Sequence, residues 1–159
     1  QGIGAVGWSP LGWGKLTGKI TRDRPPAPGT RAHAIPTTGP DYPQERLFRI
    51  VDALLVVSEE TGKTVPQIAL NWLLGRPTIS SLIIGARPEA QLLENIGALG
   101  WSLTHEQIAA LDTASYTVQA YPIWHQRSFP MLNEKRGARL AYSGMPPTRF
   151  DGVGGEKPL

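Results

Sequence analysis

The pattern of this chain predicts an α/β fold with parallel strands, and three observations carry that reading. Two short apolar runs, roughly Ile3 to Trp8 and Ser81 to Ile84, have the length and composition of strands. Between and after them, apolar residues recur at helical spacing. Strands separated by helices pair in parallel through right-handed crossovers. The alternation alone fits either a barrel segment or a doubly wound sheet.

The first strand runs into a glycine-rich loop, Ser9 to Lys19. Residues 20–40 are rich in Pro, Gly, Thr and Arg, lack periodicity and read as a long loop, a length usually kept for a lid over a site. Asp41-Tyr-Pro-Gln44 reads as a capped helix start. Leu47, Ile50, Val51, Leu54 and Leu55 form the inward stripe of that helix, and Gly62 closes it. Thr64-Val-Pro-Gln67 is a second capping box, followed by a stripe of Val65, Ile68, Ala69, Trp72 and Leu73 up to Pro77. The run Ser81 to Ile84 is expected to be a buried parallel strand. A third helix is predicted from about Pro88 to Leu99. Thr104-His-Glu-Gln107 caps a fourth, with Ile108 and Leu111 inward.

Composition excludes several classes. There is no cysteine, hence no disulfide framework or thiolate metal site, and His33, His105 and His125 lack metal-ligand spacing. The 16 basic and 13 acidic side chains are dispersed, with no basic stripe for nucleic acid. No apolar run is long enough for a transmembrane helix, and nothing at the start reads as a secretory leader, so the expectation is a cytoplasmic protein without a membrane partner. The chain begins with Gln1, and an absent upstream part is expected. The stretch 131–159, glycine- and proline-rich with mixed charge, is expected to be a disordered tail.

The densest chemical signal is Gly85-Ala-Arg-Pro-Glu-Ala-Gln-Leu-Leu-Glu-Asn95. A strand that turns through Gly85 into a helix start presents free N–H groups and the positive end of a dipole to an anion. Arg87 adds a permanent charge with a planar donor fork suited to phosphate. Gln91 shares a helical face with Glu94 and Asn95. A phosphorylated nucleoside fits such a cradle, but a solvated helix face would read the same way.

Three segments together are more specific. Trp8-Ser-Pro-Leu-Gly-Trp-Gly-Lys-Leu-Thr-Gly-Lys19, the helix pair around residues 59–74, and Ser81-Leu-Ile-Ile-Gly-Ala-Arg87 continuing to Leu99 occur in one order, followed by residues 103–112. In these the chain resembles the C-terminal half of an aldo-keto reductase, over residues 1–130. The resemblance implies the C-terminal part of a (β/α)8 TIM barrel, its last two strands and their helices, plus a C-terminal extension. A closed barrel needs roughly 250 residues, so 159 are too few. It implies NADP as cofactor, a small-molecule carbonyl substrate, and reduction of aldehydes or ketones to alcohols.

The resemblance also assigns roles. Ser9, Pro10, Leu11, Gly12 and Trp13 match the loop that wraps the cofactor pyrophosphate, with Lys19 adding charge; the alternative is an ordinary glycine-rich turn. Trp8 matches an aromatic, more often Tyr in the family, that stacks on the nicotinamide; the alternative is a core tryptophan. Arg87 matches the group that meets the adenosine 2′-phosphate. Where other members carry a Lys, this chain has Gly85, so Arg87 bears the discrimination. Gln91, Glu94 and Asn95 match the adenine end. Arg31 reads as an exposed loop charge that reaches the phosphates only on loop closure. Residues 121–126 line a substrate pocket or plug the extension onto the barrel. The catalytic Tyr, Lys, Asp and His of the family match nothing here, so no catalytic residue is assigned. Two other readings remain open: a non-catalytic NADP-binding regulator related to potassium-channel β subunits, and an independent small nucleotide-binding α/β module.

Overall fold

The computed structural model describes residues 3–34, 42–117 and 121. The expected tail at 131–159 and the stretch 122–126 lie outside the described residues.

Two strands, β1 (Ala5–Trp8) and β2 (Ile79–Ile83), pair in parallel, as the alternation predicts. Ala5 pairs with Ile79, Val6 with Ser81, Gly7 with Leu82 and Trp8 with Ile83, with one irregularity after Ala5. A Cβ at Gly4 would overlap Ser80 Oγ, so a larger residue there would force that hydroxyl to move. Among the described residues there are five α-helices, α1 (Arg31–Ala34), α2 (Gln44–Thr61), α3 (Val65–Leu74), α4 (Glu89–Ile96) and α5 (His105–Ser115), and one 3-10 turn at Gly12–Gly14.

The core lies among the helices. Leu54 and Val57 of α2, Val65, Ile68 and Ala69 of α3, Leu103, and Leu111 of α5 form one buried cluster. The stripes expected on α2 and α3 supply most of it, and Ile108 packs against it as expected. Local chemistry sets the helix ends. Gly62 ends α2 in the left-handed region at φ 67°, with its N–H bonded to Ser58 O. At α3 the Thr64 N–H donates to Gln67 Oε1 at 3.1 Å. At α5 Thr104 and Gln107 bond reciprocally at 3.1 and 3.3 Å.

Polar clamps tie the helices together. Asp112 of α5 is buried and accepts from Trp72 Nε1 at 2.8 Å and from the Arg76 guanidinium, which stacks on Trp72. Arg49 Nε of α2 donates to Ala114 O at 2.8 Å, and Arg46 Nη2 to Ser115 O at 3.3 Å. Together they neutralise the carbonyl end of α5.

Four expectations are corrected. β2 is not buried: Ser80, Ser81 and Ile83 are exposed, because among the described residues only α3 and β1 pack on it. Helix α2 starts at Gln44 with Pro43 before it, so Gln44 opens the first turn and does not close a capping box. The proposed cap Asp41 lies outside the described residues. Pro88 precedes α4 at ψ 149° and is not part of its first turn, and α4 ends at Ile96, short of Leu99. The stretch 20–40 is not structureless where described: it holds α1 and a bridge between Thr21 and Arg24. Arg22 pins this segment to α2, reaching Glu45 at 2.7 and 2.8 Å and Asp52 at 3.0 Å.

Candidate functional site

Parallel pairing brings the two motif segments out at one place. Trp8 and Ile83, the last residues of their strands, are partners. The loop from Ser9 and the segment through Gly85 to α4 therefore leave the same carboxyl edge of the sheet. That edge is where parallel α/β folds build their sites.

The Ser9–Lys19 loop is preshaped. Gly12 N–H bonds Ser9 O at 2.9 Å, and Gly14 and Leu16 N–H both bond Leu11 O at 3.1 Å. Lys15 N–H bonds Gly12 O at 3.2 Å, and Thr17 Oγ1 bonds Gly14 O at 2.7 Å. These turns engage the N–H groups of Gly12, Gly14, Lys15 and Leu16 internally. Side chains, the Ser9 hydroxyl and the Trp8 indole first, are what the loop can offer a ligand. Leu11 and Leu16 pack against the helical core and anchor the loop from below. Pro10 is half-buried beside them in sequence. Gly18, at φ 72°, passes so close to α3 that a Cβ would meet Val65 Cγ2 at 3.0 Å, and the exposed Lys19 follows.

Trp8 is 69% exposed at the strand end. Trp13 stands edge-on to it, ring centroids 6.4 Å apart and planes at 86°.

On the second segment Gly85 and Arg87 are exposed. The Arg87 N–H donates to Gln91 Oε1 at 3.2 Å, so Gln91 folds back and fixes the turn into α4. The Arg87 guanidinium makes no ion pair with a carboxylate among the described residues. Glu94 is half-buried, and its carbonyl accepts from Gln67 Nε2 at 3.0 Å, holding α4 on α3. Asn95 is only 3% exposed, and its Nδ2 has no hydrogen-bond partner within the described structure. The solvated-face alternative therefore does not hold for Asn95, while Gln91 and Glu94 are half-buried.

The donor set of these residues is compatible with a phosphorylated adenine dinucleotide. A buried amide donor without a protein partner is costly and is met by a water or by another acceptor. Arg87 is exposed and suited to a phosphate. A nicotinamide group bound here would supply hydride; the chain's own residues would hold and orient it.

Among the described residues no helix is long and apolar enough to cross a membrane. Sequence reasoning missed the anchoring role of Leu11 and Leu16, and their i, i+5 spacing within a loop gave no periodic signal. It also missed Asp112, whose partners Trp72 and Arg76 are far away in sequence.

The fold thus defines an α/β protein whose parallel strands end together at a glycine-rich loop. The family described as "Aldo/keto reductase family" matches residues 1–115, and the chain belongs to it. It is 34% identical to the chloroplastic pyridoxal reductase of Arabidopsis thaliana, over 72% of this chain and 29% of that protein. It is 34% identical to a probable voltage-gated potassium channel subunit beta of the same plant, over 62% of this chain and 30% of that one. It is 33% identical to the NADH-specific methylglyoxal reductase of Escherichia coli strain K12, over 65% of this chain and 31% of the relative. The chain spans about three tenths of the length of these relatives.

Proposed function

We propose that this chain is the cofactor-clamping C-terminal part of an NADP-dependent aldo-keto reductase, in which the complete barrel reduces an aldehyde or ketone to an alcohol in the cytoplasm. The observation that carries the reading is the shared edge, where Ser9–Trp13 and Gly85–Arg87 emerge side by side and Arg87 is unpaired by any described carboxylate. In this assignment Arg87 meets the 2′-phosphate, Ser9 and Lys19 serve the pyrophosphate, and Gln91, Glu94 and Asn95 hold the adenine. Leu11 acts from beneath as an anchor. Proton delivery to the carbonyl belongs to residues outside this chain. A positioned acid contributes about 10²–10⁴-fold in rate, so the chain by itself binds cofactor without turning over.

One relative is named NADH-specific, so cofactor choice is a matter of individual residues. A charge-assisted contact between Arg87 and a phosphate is worth about 1.5–3 kcal/mol. Arg87→Ala is expected to raise the dissociation constant for NADPH roughly ten- to a hundredfold and to leave NADH nearly unchanged. Titration of both cofactors by fluorescence checks this. Equal weakening of both would remove Arg87 from the 2′-phosphate. The relative named as a potassium channel subunit beta supports a second reading, a non-catalytic NADP-binding regulator. It predicts the same Arg87 result but no carbonyl reduction by the complete protein.

A further inference from the structure

The last turn of α4 draws its hydrogen-bond donors from outside the helix. Ala98 N–H bonds Asn95 O at 3.1 Å and Leu99 N–H bonds Ile96 O at 3.0 Å, so the chain tightens to three-residue turns there. Ala98, four residues after Glu94, thus turns its N–H elsewhere, and the Glu94 carbonyl accepts from Gln67 Nε2 of α3 at 3.0 Å. Asn71, one turn further along α3, donates from its Nδ2 to two carbonyls, Ala98 O at 3.0 Å and Trp101 O at 2.9 Å. Trp101 Nε1 donates to Gly97 O at 2.9 Å. Gln67 is itself held, because its Oε1 accepts from Thr64 N–H at 3.1 Å in the α3 capping box. Both ends of that one amide are engaged, one by the start of α3 and one by α4.

Gly97 makes room for this approach. A Cβ there would lie 2.3 Å from Gln67 Nε2, so an alanine would push the amide off the Glu94 carbonyl. The backbone does not call for glycine at that point, since Gly97 has ordinary right-handed torsions at φ −61° and ψ −3°. On its other side α4 leaves Leu92, Leu93, Ile96 and Leu99 exposed. Among the described residues, α3 is the helix that α4 packs on and the one that sets its roll. That roll matters most for Asn95, which follows Glu94 directly and is buried with its Nδ2 lacking a protein partner.

We propose that Gln67 and Asn71 are positioning residues for the adenine end of the cofactor site: they lock the roll of α4 on α3 so that the Asn95 amide is held ready for the ligand. This rests on the cofactor reading of the edge. Neither residue touches the ligand. Their donors are engaged by carbonyls of α4 and of the turn after it, and they act through Asn95. An amide held in place by such a supporting shell loses less freedom when a ligand arrives.

The test uses the full 159-residue chain and titrates adenosine 2′,5′-bisphosphate by calorimetry, with urea unfolding giving the folded fraction of each variant. Gln67→Met keeps the length of the side chain and removes its donor. Gly97→Ala displaces the Gln67 amide and leaves every other side chain in place, so it carries the test if Gln67→Met does not fold. Both, and Asn71→Leu, are expected to raise the dissociation constant of the folded chain roughly two- to tenfold. Gly97→Ala should add nothing to Gln67→Met, and Gln67→Met should add nothing where Asn95 is already alanine. Gln107→Met, which breaks the matching cap bond on α5, should lower the unfolding midpoint and leave binding unchanged. Unchanged binding in Gln67→Met and Gly97→Ala would overturn the proposal. So would an equal loss in Gln107→Met, or a Gln67 effect that persists in Asn95→Ala, since either would mean a merely structural role. A wild-type chain that binds neither the bisphosphate nor NADP would overturn the cofactor reading and the positioning role with it, whereas wild-type binding that the variants leave intact would overturn the positioning role alone.

Discussion

Ile68 on α3 is completely buried, whereas Ile83 at the end of β2 is 54% exposed. The same contrast runs through the molecule. Helices α2, α3 and α5 close a core, with capping boxes on α3 and α5 and the Asp112 clamp. The sheet leaves Val6, Trp8 and Ile83 open to solvent, and Leu93 of α4 and Leu99 after it are open too. Both regions were built from apolar residues, yet only the helical one finds partners for them within the described chain. The motif residues belong to the open region, but they stand on the closed one: Leu11 and Leu16 root the loop in the core, and Gln67 holds α4. A rigid base beneath an uncovered edge is what a ligand clamp needs, and exposed apolar surface of this kind marks an interaction site.

Substitutions break this comparison at its two ends. Ile68→Ala should cost about 2–5 kcal/mol, through lost burial and the cavity left behind. Ile83→Ala should change stability by less than about 0.5 kcal/mol. Urea unfolding followed by circular dichroism measures both, and similar costs would mean that the sheet end is covered in solution.

The next effect sharpens the helical side. Asp112→Ala leaves the Trp72 N–H and the Arg76 guanidinium without their acceptor, at a cost of about 1–3 kcal/mol. The same unfolding experiment checks it. Trp72 fluorescence should shift as its ring loses the bond, and an unchanged midpoint would remove the clamp from the account.

The smallest effect concerns the segment tied down by Arg22. Its hydrogen bonds hold the Glu45 carboxyl below the usual carboxylate range. The folded value lies beneath the unfolded one, so the contribution is present above the unfolded value and is lost as pH falls through the folded value. Because the pair is exposed, the effect on global stability is slight. Limited proteolysis at residues 20–34 should be faster in Glu45→Gln than in wild type at neutral pH. The two rates should converge in acid below the ordinary glutamate range. A difference that persists there would exclude the ion pair as its cause.

Much of this was legible in the sequence because its signals are local. Thr64/Gln67 and Thr104/Gln107 are three residues apart, and Gly62 stands alone after a periodic run, so caps and helices could be read directly. Strand pairing followed from alternation. The exposure of β2 was not legible: an apolar run looks the same whether or not a neighbour covers it. Gln91 and Asn95 show the limit at the site. Both read as one helical face, but Gln91 folds onto the Arg87 N–H while Asn95 is buried with its amide unpaired. Pairings such as Trp8 with Trp13 depend on backbone torsions that residue identity disfavours, and no sequence rule would choose them.

In the proposed function the open edge, and not the closed helical core, is the cofactor clamp. Amide hydrogen exchange of the chain with and without saturating NADPH tests it most directly. Protection should appear in residues 8–14 and 85–95, while amides in the middle of α2 and α5 stay unchanged. Protection confined to α2 and α5, or none at 8–14 and 85–95 under saturating cofactor, would contradict it.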